Sequence, residues 1–164
     1  MTKKTRIVLA ATLLAAAAGI ALATPIVGVI SPLLAVGSHD GEVEAVGSGT
    51  AVNGLPFHVQ LEAEGPANMT TQIGSVAAGG HNGWHSHPGL VVVTLMSGSI
   101  RWYDENCNAT DYKAGDSWVE GSKPHAYQVT STTAIQTVAW FIIAKGKGYR
   151  TDLPAPACGA GLGL

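Results

Sequence analysis

Alternation of apolar and polar positions organises the chain beyond its first forty or so residues. Over residues 57–64, Phe57, Val59, Leu61 and Ala63 share one face of an extended segment, and His58, Gln60, Glu62 and Glu64 share the other. This pattern assigns the first set to an interior and His58 to solvent. Further strands are predicted at 69–77, 90–96, 99–104, 117–120, 125–130 and 134–144, separated by Gly79-Gly80, Ser97-Gly98, Ala114-Gly115 and the stretch from Gly121 to Pro124. No segment after residue 23 carries a helical period. Many short strands with glycine corners predict an all-β sandwich or jelly roll, an architecture that limits free sheet edges.

The two ends depart from this alternation. Lys3, Lys4 and Arg6 precede an uncharged apolar run from residue 7 to residue 23 that closes on Ala21-Leu22-Ala23. That is the pattern of a secretory signal peptide, residues 1–23, with cleavage after Ala23. Its length also approaches that of a membrane span, so an uncleaved N-terminal anchor helix is the competing reading. Residues 24–41 contain Pro25, Pro32 and Gly37 in an apolar stretch and read as a lead-in to a barrel spanning 42–145. The Gly- and Pro-rich tail, 146–164, is too broken for a regular element, with Cys158 as its obvious anchor.

With 164 residues the chain fits one domain. Removal of the three basic residues of the signal leaves six Lys and Arg against eleven Asp and Glu, a net charge of −5. That balance argues against nucleic acid or an anionic lipid surface as partner, and leaves contact with a membrane only to an uncleaved anchor. Cys107 and Cys158 are the two cysteines, and in an oxidising compartment they predict one disulfide between the tail and the body. A secreted or extracytoplasmic location follows from the signal.

The candidate chemistry is concentrated in the segment Gly79-Gly80-His81-Asn82-Gly83-Trp84-His85-Ser86-His87-Pro88. In extended chain His85 and His87 point the same way and can bind one ion in adjacent positions. A third histidine, His125, follows the Pro/Gly turn that begins at Gly115. The order resembles the cupin superfamily, whose first motif is a glycine, a spaced His-x-His pair, a glutamate and a second glycine. Gly79, His85, His87 and Gly98 fall in those places. Gly115 and His125 match the second motif, with Pro124 shifted and Val129 where an asparagine is common. The two motifs cover about a third of the chain.

This resemblance implies a double-stranded β-helix, the jelly-roll barrel of the cupins, with the motif histidines directed inward. It also exposes a departure: Val91 stands at the glutamate position, and no carboxylate occurs between Leu90 and Leu95. Three neutral imidazoles are therefore expected as the whole protein ligand set, with Glu120 outside it. Such a site suits Zn, Cu, Ni or Fe and is less suited to Mn, which prefers oxygen donors.

The implied function is that of an exported metal-binding cupin acting on a small anionic or chelating molecule. A dioxygenase-like or isomerase-like metalloenzyme and a non-catalytic small-molecule or metal-binding module both fit, since one barrel supports many functions. Tyr127 shares a strand face with His125 and is the candidate for a catalytic hydroxyl. Trp84, Trp118 and Trp140 are read as packing residues, and His81 as a solvated loop residue. Related single-domain cupins imply a homodimer.

Overall fold

The computed structural model describes residues 22–164, so all but the end of the signal segment lies outside the described residues. Thirteen strands follow in chain order: β1 (Val27–Ile30), β2 (Leu33–His39), β3 (Val43–Thr50), β4 (Pro56–Ala63), β5 (Ala67–His81), β6 (His85–Ser86), β7 (Gly89–Ser97), β8 (Ser99–Tyr103), β9 (Ala109–Lys113), β10 (Ser117–Glu120), β11 (Ala126–Val129), β12 (Ile135–Ala144) and β13 (Thr151–Asp152). A short 3-10 turn, Ala157–Gly159, is the one helical element among the described residues. No helix there is long and apolar enough to cross a membrane.

Seven strands form the main sheet in the order β10-β7-β12-β5-β11-β8-β9, with β1 and β2 also paired to β5. The result is an all-β, barrel-like jelly roll of the kind expected. Strand β5 is the hinge of this architecture. Its first ten residues, Ala67 to Val76, pair with β12, while His81 at its far end pairs with Gln128 of β11. One long strand thereby joins the two layers around a shared interior.

The strand periodicity explains which side chains fill that interior. Val91, Val93 and Leu95 of β7 alternate inward and are buried, as are Ile135, Ala139, Phe141 and Ile143 on β12. They pack with Ile100, Trp118 and Val129 in one cluster. Two glycines are required by the turns between these strands. Gly98, with φ at +80°, makes the β7–β8 corner, and Gly115, at +95°, makes the turn before β10. Both conformations are ones that other L-residues rarely adopt.

Several stretches differ from the sequence reading. Residues 27–39 are not a loose lead-in but strands β1 and β2 laid along β5. The alternating segment at 57–64 does form a strand, but it pairs only with β3 as a separate two-stranded ribbon. Its apolar face is therefore left open: Phe57 is 53% exposed and Val59 50%, while His58 faces solvent as expected. Strand β9 escaped detection because Ala109–Lys113 has no apolar face to reveal it; it is an exposed edge paired to β8.

Candidate metal centre

The local backbone brings the three histidines together from separate segments. His85 opens the two-residue strand β6 and forms an antiparallel bridge with His125, just ahead of β11. Reciprocal backbone bonds, 3.0 Å from His85 N to His125 O and 2.9 Å in return, fix that pair. His87 follows two positions later, its amide bonded to Gly121 O at 2.9 Å. All three imidazoles are buried, with ring centroids 4.3 to 5.2 Å apart.

The sequence reading is corrected at Glu120. Its carboxylate joins His85, His87 and His125 in one buried group whose ligand atoms all lie within 4.8 Å of one another. The reason lies in the strand ladder. Glu120, the last residue of β10, is the direct cross-strand partner of Val91 on β7. Residues directly opposite in an antiparallel pair put their side chains on the same face, about 5 Å apart. The carboxylate that the motif position lacks thus enters from the neighbouring strand. The candidate donor group is therefore three histidines and one glutamate rather than the expected three histidines, and it includes the oxygen donor whose lack had disfavoured Mn.

Two tryptophans orient this glutamate. Trp118 Nε1 donates to Glu120 Oε1 at 2.8 Å and Trp102 Nε1 donates to the same oxygen at 3.3 Å. Oε2 is left directed at His87 Nε2, 3.2 Å away, and at His125 Nε2, 3.3 Å away. Trp118 is buried as expected, but its indole N–H has a polar role as well. The signal was present in the sequence: Trp118 and Glu120 are two apart in a predicted strand and must share a face. Trp84 is fully buried beside the tail, whereas Trp140 is partly exposed.

Each imidazole has its tautomer set by the backbone. His85 Nδ1 lies 2.9 Å from Gly83 O, His87 Nδ1 lies 2.6 Å from Tyr149 O, and His125 Nδ1 lies 2.8 Å from Lys123 O. A carbonyl oxygen can only accept, so each Nδ1 carries the hydrogen and each neutral ring presents its Nε2 lone pair. Backbone carbonyls commonly hold metal-ligating histidines in this way. Three lone pairs and a carboxylate then converge on one point. Four buried acceptors facing each other repel unless a proton or a cation lies among them. Donors roughly 2.0–2.2 Å from a shared ion would lie about 3–4 Å apart, and the separations of Glu120 Oε2 from His87 Nε2 and His125 Nε2, 3.2 and 3.3 Å, fall in that range.

The titration behaviour reflects the same crowding. Burial opposes ionisation of Glu120, yet hydrogen bonds to His125 and His87, with the charge of His125 and His85, outweigh it and hold the carboxyl well below its usual range. His125 is pushed up: burial works against its protonation, and the Glu120 carboxylate overrides burial. His85 is driven well below the ordinary histidine range, first by burial and then by the neighbouring positive groups, with Glu120 opposing.

Three of the four donors, His85, His87 and Glu120, line a cavity of about 190 Å³, while His125 faces a second pocket that it shares with Glu120. Val91, Val93, Ala139 and Phe141 give it apolar walls, and Asn82, Tyr127 and Arg150 add polar groups. Tyr127 is therefore where the sequence reading placed it. Burial raises its phenol far above the ordinary value, so the hydroxyl remains a donor at neutral pH. His81 lies at the end of β5, outside the four-donor group.

The tail supplies the remaining wall. It is anchored by more than Cys158: Thr151 and Asp152 of β13 pair with Ser86 and His85, and Leu153 N bonds to Trp84 O at 2.9 Å. Cys107 and Cys158 are joined in a disulfide, as expected. The chain loop between them brings Tyr149 O to His87 and Arg150 to the cavity.

No family model matches the chain, and no curated protein matches it. Among solved structures, it is similar to an uncharacterised conserved protein with a double-stranded β-helix domain from Klebsiella pneumoniae. That match has 20% identity and a TM-score of 0.46, over 52% of this chain and 74% of the other. A predicted oxalate decarboxylase from Thermotoga maritima matches at 21% identity and a TM-score of 0.41, over 49% of this chain and 83% of the other. An oxalate oxidase in complex with glycolate matches at 17% identity and a TM-score of 0.44, over 51% of this chain and 45% of the other. The matched part spans less than half of that oxidase.

Proposed function

We propose that the protein is an exported metalloprotein that holds one divalent transition metal at His85, His87, Glu120 and His125 and acts on a small anionic or chelating molecule. The observation that carries this reading is the convergence of four buried acceptors whose tautomers and orientations are already set.

A metal bound there would supply Lewis acidity to a coordinated oxygen. The protein's own groups do the rest. Trp102 and Trp118 keep Glu120 from rotating away, and the Tyr149, Gly83 and Lys123 carbonyls keep the imidazoles aimed. The apolar walls exclude bulk water, and the Tyr127 hydroxyl can donate a hydrogen bond to a ligand oxygen. At about 190 Å³ the cavity is smaller than the roughly 300–1,000 Å³ of drug-sized sites, so the ligand is small.

One observation favours the second reading, a binding module without turnover. Glu120 is the cavity's only carboxylate among the described residues, and it is engaged by two indoles and two imidazoles. A general base must come from Glu120 itself or from the ligand's surroundings on the metal. A homodimer remains part of the reading on the cupin resemblance alone.

The test is elemental analysis of the protein isolated from its native compartment, beside a His85→Ala, His87→Ala variant. One metal per chain in the parent and none in the variant supports the site; a metal-free parent that also fails to take up Mn, Fe, Ni, Cu or Zn removes it. Turnover of thiols, diketones or small organic acids by the loaded protein separates enzyme from binding module.

A further inference from the structure

Arg150 is not explained by metal binding. It lines the same cavity as His85, His87 and Glu120, and its positive charge acts on His85, His125 and Tyr127. A fixed cation beside a cation site opposes occupancy of that site, since like charges at short range repel. The sequence places it there all the same, in a segment pinned on both sides. Tyr149 O is bonded to His87 Nδ1, and Thr151 pairs with Ser86.

The guanidinium is also oriented. Nε donates to Asp152 Oδ1 at 2.5 Å and Nη2 donates to the Asn82 carbonyl at 2.5 Å. The arginine side chain is only 27% exposed, while Asp152, at 56%, sits toward solvent where its charge is better screened. Arginine has five N–H donors in a planar fork. Among the described residues the protein engages two of them, on Nε and Nη2. The rest of the fork is available for an acceptor in the cavity.

An anion between the two positive centres resolves the conflict. Its carboxylate would take the fork of Arg150, and a second oxygen would face the four-donor cluster. Val91, Val93, Ala139 and Phe141 along the walls suit a short alkyl body better than a polyhydroxylated one. We infer that Arg150 is the anion-recognition residue of the cavity, seating the carboxylate of a short-chain organic acid that carries a second oxygen substituent. The metal-facing half of this inference rests on the proposed metal site; the anion seat itself rests on Arg150.

The experiment is calorimetric titration of the zinc-loaded and zinc-free protein with lactate, 3-hydroxybutyrate and malonate, each beside its neutral amide. At least one acid is expected to bind tenfold or more tighter than its amide. In Arg150→Gln that acid should weaken tenfold or more, and the acid-to-amide ratio should fall toward one. Arg150→Lys, which keeps the charge and loses the fork, should fall between the two. Zinc content and thermal midpoint of both variants report on folding and on the metal separately; if Arg150→Gln does not fold, the ratio in Arg150→Lys decides.

No binding by any acid, equal binding of acid and amide by the parent, or an unchanged ratio in the folded variants overturns the inference. Zinc bound with no acid preference overturns it and leaves the metal site standing. An Arg150-dependent preference in a chain that takes up no zinc supports the anion seat and removes the metal site instead.

Discussion

Glu120 and Val91 face each other across the β10–β7 ladder, and this pairing gives the site its carboxylate. The motif position alone pointed to a three-histidine centre, because sequence order says nothing about which residue of another strand lies opposite. His85, His87 and His125 were legible from spacing, since an extended chain repeats every two residues. The pairing makes a direct prediction. Glu120→Val should lower zinc affinity by tenfold or more, measured by competition with a chromophoric chelator. Adding Val91→Glu should restore part of it, because the carboxylate then enters the same face from the opposite strand. No recovery in the double variant would mean that the indole clamp of Trp102 and Trp118, not the carboxylate alone, defines the site.

Protons compete for the same donors. His125 is raised by its partnership with Glu120, so the metal-free protein holds a proton there at pH values where a free histidine has lost it. Metal must displace that proton, and affinity should begin to fall already above the ordinary histidine pKa of about 6.5 as pH decreases. The stability that the raised His125 contributes to the metal-free protein runs in the opposite sense: present below its unfolded pKa, and lost as pH rises through its folded one. Zinc titration in buffers of different ionisation enthalpy at neutral pH should show net proton release. Zero release would place the His125 proton elsewhere.

At the scale of elements, strands with an alternating apolar face were readable, β4 included although its face is left open, and those without one were not. The inward alternation of β7 and β12 is visible in Val91, Val93 and Leu95 and in Ile135, Thr137 and Ala139, whereas β9 and β13 have no buried residues and owe their existence to their partners. The tail illustrates the same limit. Its Gly and Pro content hid the pairing of β13 with β6, which depends on backbone groups and leaves no side-chain period. Held by Cys158, the tail presents Tyr149 O to His87 and Arg150 to the cavity. Cys158→Ser should therefore act twice. Opening a loop with a sequence separation of 51 lowers stability by up to about 4 kcal/mol in the chain-entropy model. It should also weaken metal binding at temperatures where the protein stays folded, because His87 loses its carbonyl partner more often. Urea melts with and without zinc separate the two effects, and an unchanged zinc affinity would show the tail holds its place without the disulfide.

For the molecule as a whole, the four donors come from separate chain positions: β6 and the residue after it, the end of β10, and the residue before β11. The unfolded chain cannot hold them in one place, so metal binding should be coupled to the folded state. At a free zinc concentration a hundred times the dissociation constant, the folded state gains about 2.7 kcal/mol. For a chain of this size that corresponds to a rise in thermal midpoint of roughly 5–10 °C, which the His85→Ala, His87→Ala variant should lack. The gain should also be uneven. The β3–β4 ribbon forms its own two-stranded sheet with Phe57 and Val59 exposed, and two-stranded ribbons are marginal in water. Its amides should exchange with solvent through local opening that does not involve the barrel, whatever the metal state. Hydrogen exchange with and without zinc should slow β6, β10 and β11 and leave β3 and β4 unchanged. Equal slowing of the ribbon would mean that it is packed against the barrel in solution and opens only with it.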